Sequence, residues 1–313
     1  MNTQVLILTS IYDFSTDLVC LLLKEKDTPF LRLNKESFSD YRITLNPVEQ
    51  ILLVEVNKQK YEISSSLKSI WFRQPVFLRN TPHTPLSVEQ QLSRSQWSAF
   101  LRSLSVFRNA AWMNWPQSTY LAESKPYQLM IAKECGFKIP STLVSNDAEN
   151  LKFEFPNNAI IKSLDTILLR ENNDCLFTYS TLISSSILDD TSTLTAPLMM
   201  QEYIDNKIDY RVTIIGNTVV TVKILSGGVG IQEDWRMTPK QNLSYETCRL
   251  PESVELSCLA LMKEMNLSFG AIDLLENHEG FYFIEINPTG EWGWLCDTDR
   301  NIDQIIASWL LNS

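Results

Sequence analysis

Residues 270–288, GAIDLLENHEGFYFIEINP, decide the fold that this sequence predicts, and they carry Asp273, Glu285 and Asn287. Two apolar strand-like segments flank the polar turn NHEG, so they should pair as neighbouring strands. Alternate residues of a strand point to the same face, which puts Glu285 and Asn287 on one surface near Asp273. Burying two carboxylates and a carboxamide together is costly without a cation. The segment therefore predicts a metal site, and its oxygen ligands suit Mg²⁺ or Mn²⁺.

Taken alone, the same pattern has a second interpretation. Asp273 could cap a turn while Glu285 and Asn287 point into solvent at the end of a strand. The motifs that precede the segment weigh against this alternative. In chain order they are Lys125 ahead of a helical segment at 127–135, Lys162 at the end of the apolar strand 159–162, residues 200–204 (MQEYI) and residues 209–212 (DYRV).

This order of motifs, closed by Asp273 and the Glu285-x-Asn287 pair, resembles the ATP-grasp superfamily of ATP-dependent carboxylate ligases. The resemblance covers the chain from Lys125 onward, and its specificity lies in the order because each motif alone is weak. It implies an ATP-grasp fold of the α/β (α+β) class, with ATP and two Mg²⁺ ions, or Mn²⁺, as cofactors. The implied domains are an N-terminal α/β domain at 1–113, a central domain at 114–197 and a C-terminal antiparallel-sheet domain with the metal site at 198–313.

The resemblance also implies roles for individual side chains. Lys125 and Lys162 would contact the nucleotide phosphates, as a lysine at the end of a buried strand can do. The adenine-binding hinge and the ribose contact would be formed by Gln201, Glu202, Tyr203, Ile204 and Asp209. Cations for the phosphate or acyl-phosphate oxygens, the catalytic candidates, would be Arg211, Lys223 and Arg236. A solvated surface charge is the alternative for each single cation except Lys162, whose flanking residues are apolar.

One stretch departs from the superfamily pattern. ATP-grasp enzymes often cover the triphosphate with a glycine-containing loop after the second lysine, whereas residues 163–170 (SLDTILLR) contain no glycine. Either side chains such as Ser163 and Thr166 help to cover the phosphates, or the loop folds only around the substrate.

A narrower resemblance rests on two further stretches. Residues 69–75 (SIWFRQP) are similar to the Trp-x-Arg-x-Pro stretch of graspetide maturases, the microviridin-type peptide ligases, and residues 285–295 (EINPTGEWGWL) carry a Gly-x-Trp-x-Trp run like theirs. Such enzymes activate Asp or Glu side chains of a ribosomally made precursor as acyl phosphates. A Ser/Thr hydroxyl or a Lys amine then closes an ω-ester or ω-amide macrocycle. The resemblance therefore implies a precursor peptide with a leader segment as the substrate, and a homodimer.

Structural roles compete with functional ones in these stretches. Trp292 and Trp294 could seal the last helix onto the sheet instead of forming a wall beside the acyl-phosphate pocket. Arg73 could anchor Trp71 instead of contacting peptide carboxylates.

Two other functions also fit the sequence. One is a ligase that joins a free amino acid to a peptide or protein carboxylate, as ribosomal-protein glutamate ligases do. The Trp-x-Arg-x-Pro and Trp-Gly-Trp stretches weigh against it. The other is a non-catalytic nucleotide-binding regulatory protein, and the joint presence of Asp273, Glu285 and Asn287 weighs against that one.

Composition narrows the classes of partner and compartment. The 313 residues are 44% apolar and 20% charged with a net charge of −10, which is typical of a globular protein. Nucleic acid and anionic membranes are disfavoured as partners because phosphate binding needs clustered Lys and Arg. The six cysteines are scattered without a CxxC pair, and two histidines are too few for a His-rich metal site. No apolar stretch approaches the ~18–20 residues of a membrane span, so we expect a cytoplasmic protein.

Local patterns predict several further elements. A Ser-x-x-Gln capping box at Ser87 should start an amphipathic helix, and Gly216-Asn217 is a strong hairpin signal. We expect residues 180–188 to form a helix and the stretch between Pro116 and Pro126 to form a loop.

Overall fold

The computed structural model describes residues 1–73, 86–165, 180–189 and 194–312, and it gives the backbone course of the strands at 168–171 and 174–177. Pro75 and Thr166, which belong to two of the sequence motifs, lie outside these residues. None of the helices in the described residues combines the length and apolarity that crossing a membrane requires.

The N-terminal part of the chain forms a parallel sheet with a smaller antiparallel sheet beside it. Its elements are β1 (Val5–Thr9), α1 (Phe14–Glu25), β2 (Phe30–Asn34), β3 (Arg42–Asn46), β4 (Ile51–Val56), β5 (Gln59–Ile63), β6 (Ser69–Phe72), α2 (Val88–Ser103) and β7 (Ala111–Met113). The parallel sheet has the order β2-β1-β6-β7, and β3, β4 and β5 form the antiparallel sheet. The expected capping box of Ser87 and Gln90 begins α2.

The middle of the chain forms another antiparallel sheet, which has four strands. Its elements are α3 (Pro116–Ala122), α4 (Lys125–Glu134), β8 (Thr142–Ser145), α5 (Ala148–Glu154), β9 (Asn158–Lys162), β10 (Leu168–Glu171), β11 (Asp174–Phe177), β12 (Thr181–Ser184) and β13 (Leu198–Glu202). The sheet order is β12-β9-β13-β8, and β10 pairs with β11 as a separate hairpin. Gly136, with φ +94°, ends the turn after α4 in the left-handed conformation that glycine adopts readily.

The C-terminal part is a five-stranded antiparallel sheet with two helices. Its elements are β14 (Ile208–Ile215), β15 (Thr218–Ser226), β16 (Leu243–Cys248), α6 (Glu252–Glu264), β17 (Phe269–Asn277), β18 (Gly280–Asn287) and α7 (Ile302–Asn312). The order is β16-β15-β14-β17-β18, so β18 lies at an edge of the sheet. The expected hairpin at Gly216-Asn217 joins β14 to β15.

Two local expectations were wrong. The expected helix at 180–188 is β12 followed by a 3-10 turn, because Leu182 and Ile183 pair with β9, and the serines that follow are poor helix formers. The stretch expected as a loop between prolines 116 and 126 contains α3. Pro116 is the first residue of that helix, a position where the missing N–H and the fixed φ of proline cause no loss.

The two faces of the five-stranded sheet have different partners. One face packs against α4 and α6 through Val212, Ile214, Ile272 and Leu274. Residues of the opposite face alternate with these along each strand. At one end that face is apolar, and Phe269 contributes there to a cluster with residues of α1 and α7. At the other end it carries charged side chains, so the alternation of residues along the strands brings polar groups together there.

Arg73 connects the N-terminal sheet to the turn that follows β18. Its side chain is 0% exposed and lies 3.3 Å from Asp13 and 2.8 Å from Glu291. It also donates to the carbonyl oxygens of Thr289 and, at 3.0 Å, Gly290. Its guanidinium also lies 5.8 Å from the centre of the Phe269 ring. These contacts give Arg73 a structural role that joins Asp13 to the turn after β18, while the expected anchoring of Trp71 stays a prediction.

Two glycines allow this turn to approach its neighbours. A Cβ on Gly290 would lie 2.5 Å from the Ala271 side chain, and one on Gly293 would lie 2.2 Å from the hydroxyl of Ser15. Both distances are far below van der Waals contact, so a side chain at either position would force Ala271 or Ser15 to shift. The Gly-x-Trp-x-Trp run therefore seats the turn against β17 and α1.

We expect Arg73→Leu to lower the free energy of unfolding by about 3–5 kcal/mol, because it leaves the buried carboxylate of Asp13 without its cation. Urea denaturation followed by circular dichroism measures this change. Arg42→Leu, on an exposed position of β3, is the matched control and should stay within about 0.5 kcal/mol of the parent. Equal stability of the two variants would contradict the anchoring role.

Candidate active site

The predicted metal ligands meet across β17 and β18. Asp273 pairs directly with Glu285, and Asn287 pairs with Ala271, with a register shift just beyond Asp273. The amide Nδ2 of Asn287 donates to Glu285 Oε1 at 3.2 Å. No group of three His, Cys, Asp or Glu side chains arranged for a metal occurs among the described residues. The candidate site has two carboxylates, and its third oxygen is that of an amide.

Two arginines neutralise these carboxylates in the structure. Arg211, which faces Asp273 from β14, donates from Nη1 to Asp273 Oδ1 at 2.7 Å. Arg236 reaches in from the loop between β15 and β16, with Nη2 at 3.0 Å from Asp273 Oδ2 and 3.3 Å from Glu285 Oε1. A guanidinium thus bridges the two carboxylates as a cation. The residues present fit a divalent metal, because they are hard oxygen donors and already hold a positive charge between them.

Burial and the neighbouring charges shift the pKa values of the two carboxyl groups in opposite directions. Burial raises the pKa of Asp273, against the opposing effect of Arg211 and Arg236. Burial also acts to raise the pKa of Glu285, but Arg236, Lys162 and Lys125 outweigh it and lower that pKa to about 2. Glu285 is therefore ionised throughout the neutral range.

Lys162 is buried at the end of β9, as its apolar flank suggested, and is only 7% exposed. Its Nζ donates to Gln201 Oε1 at 2.8 Å, and Gln201 Nε2 donates to the Thr142 hydroxyl at 2.9 Å. Burial lowers the pKa of Lys162 to about 8, although Glu285 and Asp273 act to raise it. The ammonium group is thus held close to the carboxylates without an ion pair to either of them.

A cavity of about 190 Å³ lies between the four-stranded sheet β12-β9-β13-β8 and the five-stranded sheet. Most of the expected nucleotide-contact residues line it, together with both carboxylates and one arginine: Lys162, Gln201, Glu202, Tyr203, Ile204, Asp209, Arg236, Asp273 and Glu285. Lys125, the first residue of α4, lies outside this lining but close enough to affect the pKa values of Lys162 and Glu285.

Arg211 and Asn287 also lie outside the lining but contact Asp273 and Glu285, whereas Lys223 is the expected cation that the structure places away from the site. Arg211 pairs with Val222, so Lys223 points to the opposite face of the sheet, where its Nζ lies 5.6 Å from the centre of the Tyr210 ring. The tight turn of the β14–β15 hairpin sets this pairing of residues. A shift of the pairing by one residue would move Lys223 to the face of Arg211.

Lys207 is a site residue that the sequence reasoning missed. Its Nζ lies 2.6 Å from Asp209 Oδ2, and both side chains line the cavity. Burial raises the pKa of Asp209 to about 6 in spite of this lysine. The signal was available, because Lys207 directly precedes β14 and lies two residues before Asp209, a spacing that favours the same face. Asp234, which accepts a hydrogen bond from Arg236 Nη1, was also missed and lies in a loop without such a pattern.

The two tryptophans of the Gly-x-Trp-x-Trp run occupy different environments. Trp292 is 0% exposed and belongs to the apolar cluster between the sheet, α1 and α7, as its structural interpretation requires. Trp294 packs against the edge of the same cluster, and its ring centre lies 5.9 Å from the Arg211 guanidinium, 5.4 Å from Trp235 and 4.8 Å from Tyr245. It forms an aromatic wall beside the arginine that holds Asp273.

A family model for the RimK-like ATP-grasp domain matches residues 136–310. A tetrahydromethanopterin:α-L-glutamate ligase of Methanocaldococcus jannaschii is 27% identical over 84 residues. That match spans 27% of this chain and 28% of the ligase, so the chain aligns with little more than a quarter of this relative's length.

Two solved structures share the fold over the whole chain. The macrocyclase MdnC of Microcystis aeruginosa MRC, bound with the precursor peptide MdnA, has a TM-score of 0.84 and 24% identity, with 100% of both chains covered. A RiPP-associated ATP-grasp ligase of Chryseobacterium gregarium, in complex with ADP and a leader and core peptide, has a TM-score of 0.85 and 23% identity, with 100% of this chain and 97% of that chain covered. Since the domain model matches more than half of the residues, the chain belongs to the RimK-like ATP-grasp family.

Proposed function

We propose that this protein is an ATP- and Mg²⁺-dependent peptide ligase that makes macrocycles. It would activate Asp or Glu side chains of a ribosomally made precursor peptide as acyl phosphates, and a hydroxyl or amine of the same peptide would then close an ω-ester or ω-amide ring. The precursor would be recognised through a leader segment, and the enzyme would act as a cytoplasmic homodimer.

The observation that carries this proposal is the convergence of Asp273, Glu285, Arg236 and Lys162 at one cavity between two sheets. Carboxylates that can hold Mg²⁺ lie there beside cations that can hold phosphate. The fold of two solved peptide-modifying ligases, one of them a macrocyclase with its precursor peptide, supports the choice of a peptide as substrate.

Each group of side chains has a distinct task in this proposal. Asp273, Glu285 and Asn287 would hold the metal, and Lys125 and Lys162 would neutralise phosphate oxygens. When bound, ATP would supply the phosphoryl group, and one or two Mg²⁺ ions would offset the charge that develops on it. The backbone groups of residues 202–204 would bind the adenine edge. Gln201 would belong to the same nucleotide-binding segment, and Asp209 would contact the ribose.

The arginines would act on the activated carboxyl group. Arg211 and Arg236 already contact carboxylate oxygens in the structure, and the same guanidinium donors suit an acyl phosphate. Arg211 is buried, with the Trp294 ring centre 5.9 Å from its guanidinium, and a charge acts more strongly in such surroundings than in water. Lys223 has no task here because it lies on the other face of the sheet.

A second candidate is a ligase that adds a free amino acid to a carboxylate. The partial similarity to a tetrahydromethanopterin:α-L-glutamate ligase favours it, because the name of that relative states the ligation of a free amino acid, L-glutamate. Both candidates would use the same metal and phosphate groups and would differ in where the nucleophile comes from. A non-catalytic nucleotide-binding protein would bind ATP without turning it over.

The mass of the product separates these candidates. Incubation with ATP, Mg²⁺ and a candidate precursor peptide encoded beside the gene should remove one water per ring from the peptide, as read by mass spectrometry. A gain of one amino-acid residue, with glutamate or another amino acid present, would support the second candidate. An unchanged peptide with no ADP formed would contradict both ligase functions for that substrate.

We expect Glu285→Gln to reduce ADP formation by more than about a hundredfold. Loss of a group in the outer shell of a metal site costs roughly 10–100-fold, and a direct ligand should cost more. ADP release with peptide present measures the effect, and the thermal melting temperature checks that the variant is folded. Glu246→Gln, at an exposed position of β16 in the same sheet, should keep normal turnover. Normal turnover in Glu285→Gln would refute the metal assignment.

The affinity for ADP should fall as the pH rises through about 8. Lys162 loses its proton there, and the neutral amine cannot neutralise a phosphate. Phosphate raises the pKa of the lysine in the complex, so the Kd should increase by up to about tenfold per pH unit above that value. Calorimetric titration without metal from about pH 7 to 9.5 measures this. Lys162→Arg stays charged over the range, so its profile should be flat, and a flat profile in the parent protein would contradict the assignment.

A further inference from the structure

The strand that carries Glu285 and Asn287 is an edge strand. On one side, β18 pairs with β17, which aligns Glu285 with Asp273 and Asn287 with Ala271. The residue between them, Ile286, directs its backbone N–H and C=O away from β17, toward the side where the described sheet has no further strand. Unpaired edge groups make a strand easier to distort, yet a Mg²⁺ site needs ligands held in near-octahedral geometry.

Gln128 of α4 takes the place of the missing strand. Its Oε1 accepts from Ile286 N–H at 3.0 Å, and its Nε2 donates to Ile286 O at 2.9 Å. Nε2 also donates to Ala122 O at 2.5 Å, and the side chain is 3% exposed. One primary amide therefore makes both hydrogen bonds that the backbone of a neighbouring strand would make, and it makes them at the residue between the two ligands.

We propose that Gln128 is a positioning residue for the metal site, an inference that rests on the proposed function. By fixing the peptide groups on both sides of Ile286, it sets the direction in which the Glu285 and Asn287 side chains leave the strand. It also ties the strand to α4, whose first residue is Lys125, three positions earlier on the same helix. Gln128 thus sets the spacing between the metal ligands and a phosphate-binding lysine.

The test is the affinity for Mn²⁺ in the presence of ADP, measured from the electron paramagnetic resonance signal of free Mn²⁺. Gln128→Met keeps the length of the side chain and removes both hydrogen bonds to Ile286. We expect its Kd for Mn²⁺ to rise about 10–100-fold, the usual effect of losing a group that orients metal ligands. The Mg²⁺ concentration for half-maximal activity should rise with it. An unchanged Kd in a folded Gln128→Met would overturn the proposal.

The matched control is Leu129→Ala, the next residue of α4. Leu129 packs in the core on this side of the sheet and makes no hydrogen bond to β18. Its loss should lower the melting temperature through a cavity and leave the Kd for Mn²⁺ within about twofold. A tenfold weaker Kd in Leu129→Ala would show that destabilisation alone moves the metal site, and the proposal would fail.

Two further variants keep the outcomes distinct. If Gln128→Met does not fold, Gln128→Glu replaces it: the carboxylate keeps the acceptor for Ile286 N–H, loses the donor for Ile286 O, and should also raise the Kd. Glu285→Gln should abolish Mn²⁺ binding in the otherwise normal protein. If the parent protein itself binds no Mn²⁺ with ADP, the proposed function fails. If the parent binds and the Gln128 variants match it, only the positioning role fails.

Discussion

Two carboxylates that face each other across a pair of strands need positive charge. Asp273 and Glu285 are opposite each other in the register of β17 and β18, and both are largely buried. Like charges at that distance inside a protein are stable only with cations beside them. Arg211, Arg236 and Lys162 meet this need from a neighbouring strand, a loop and a second sheet. The site therefore depends on cations that tertiary contacts bring to one local pair of strands.

The same sheet face serves both the site and the assembly of the chain. Its charged end opens to the cavity, and its apolar end packs with Trp292 against α1 and α7. Arg73 then fixes the turn after Asn287 to the N-terminal sheet through two carbonyl groups and Glu291. Because this turn begins one residue after a candidate ligand, the contact that joins the two parts of the molecule also limits the movement of the site.

Local patterns were sufficient for some of these features. Strand alternation alone placed Glu285 and Asn287 together, and Gly216-Asn217 gave the hairpin. The same hairpin contained the signal that corrects Lys223, because a two-residue turn at Gly216-Asn217 pairs Arg211 with Val222 and puts Lys223 on the face of Tyr210. Gln128, in contrast, had no local signal. Its role depends on the contact between a helix and a sheet edge 158 positions away in sequence, and an amide on a helix has no signature of its own.

The balance of charge at the cavity has the same sign as that of the whole chain. The chain carries a net charge of −10, which would repel a free nucleotide. The lining of the cavity also has more carboxylates than cations: Glu202, Asp209, Glu233, Asp234, Asp273 and Glu285 against Lys162, Lys207 and Arg236. A polyphosphate would add still more negative charge, which these three cations cannot offset alone. A nucleotide would therefore be bound best together with its own divalent cations, and Glu285, ionised across the neutral range, is ready to receive them.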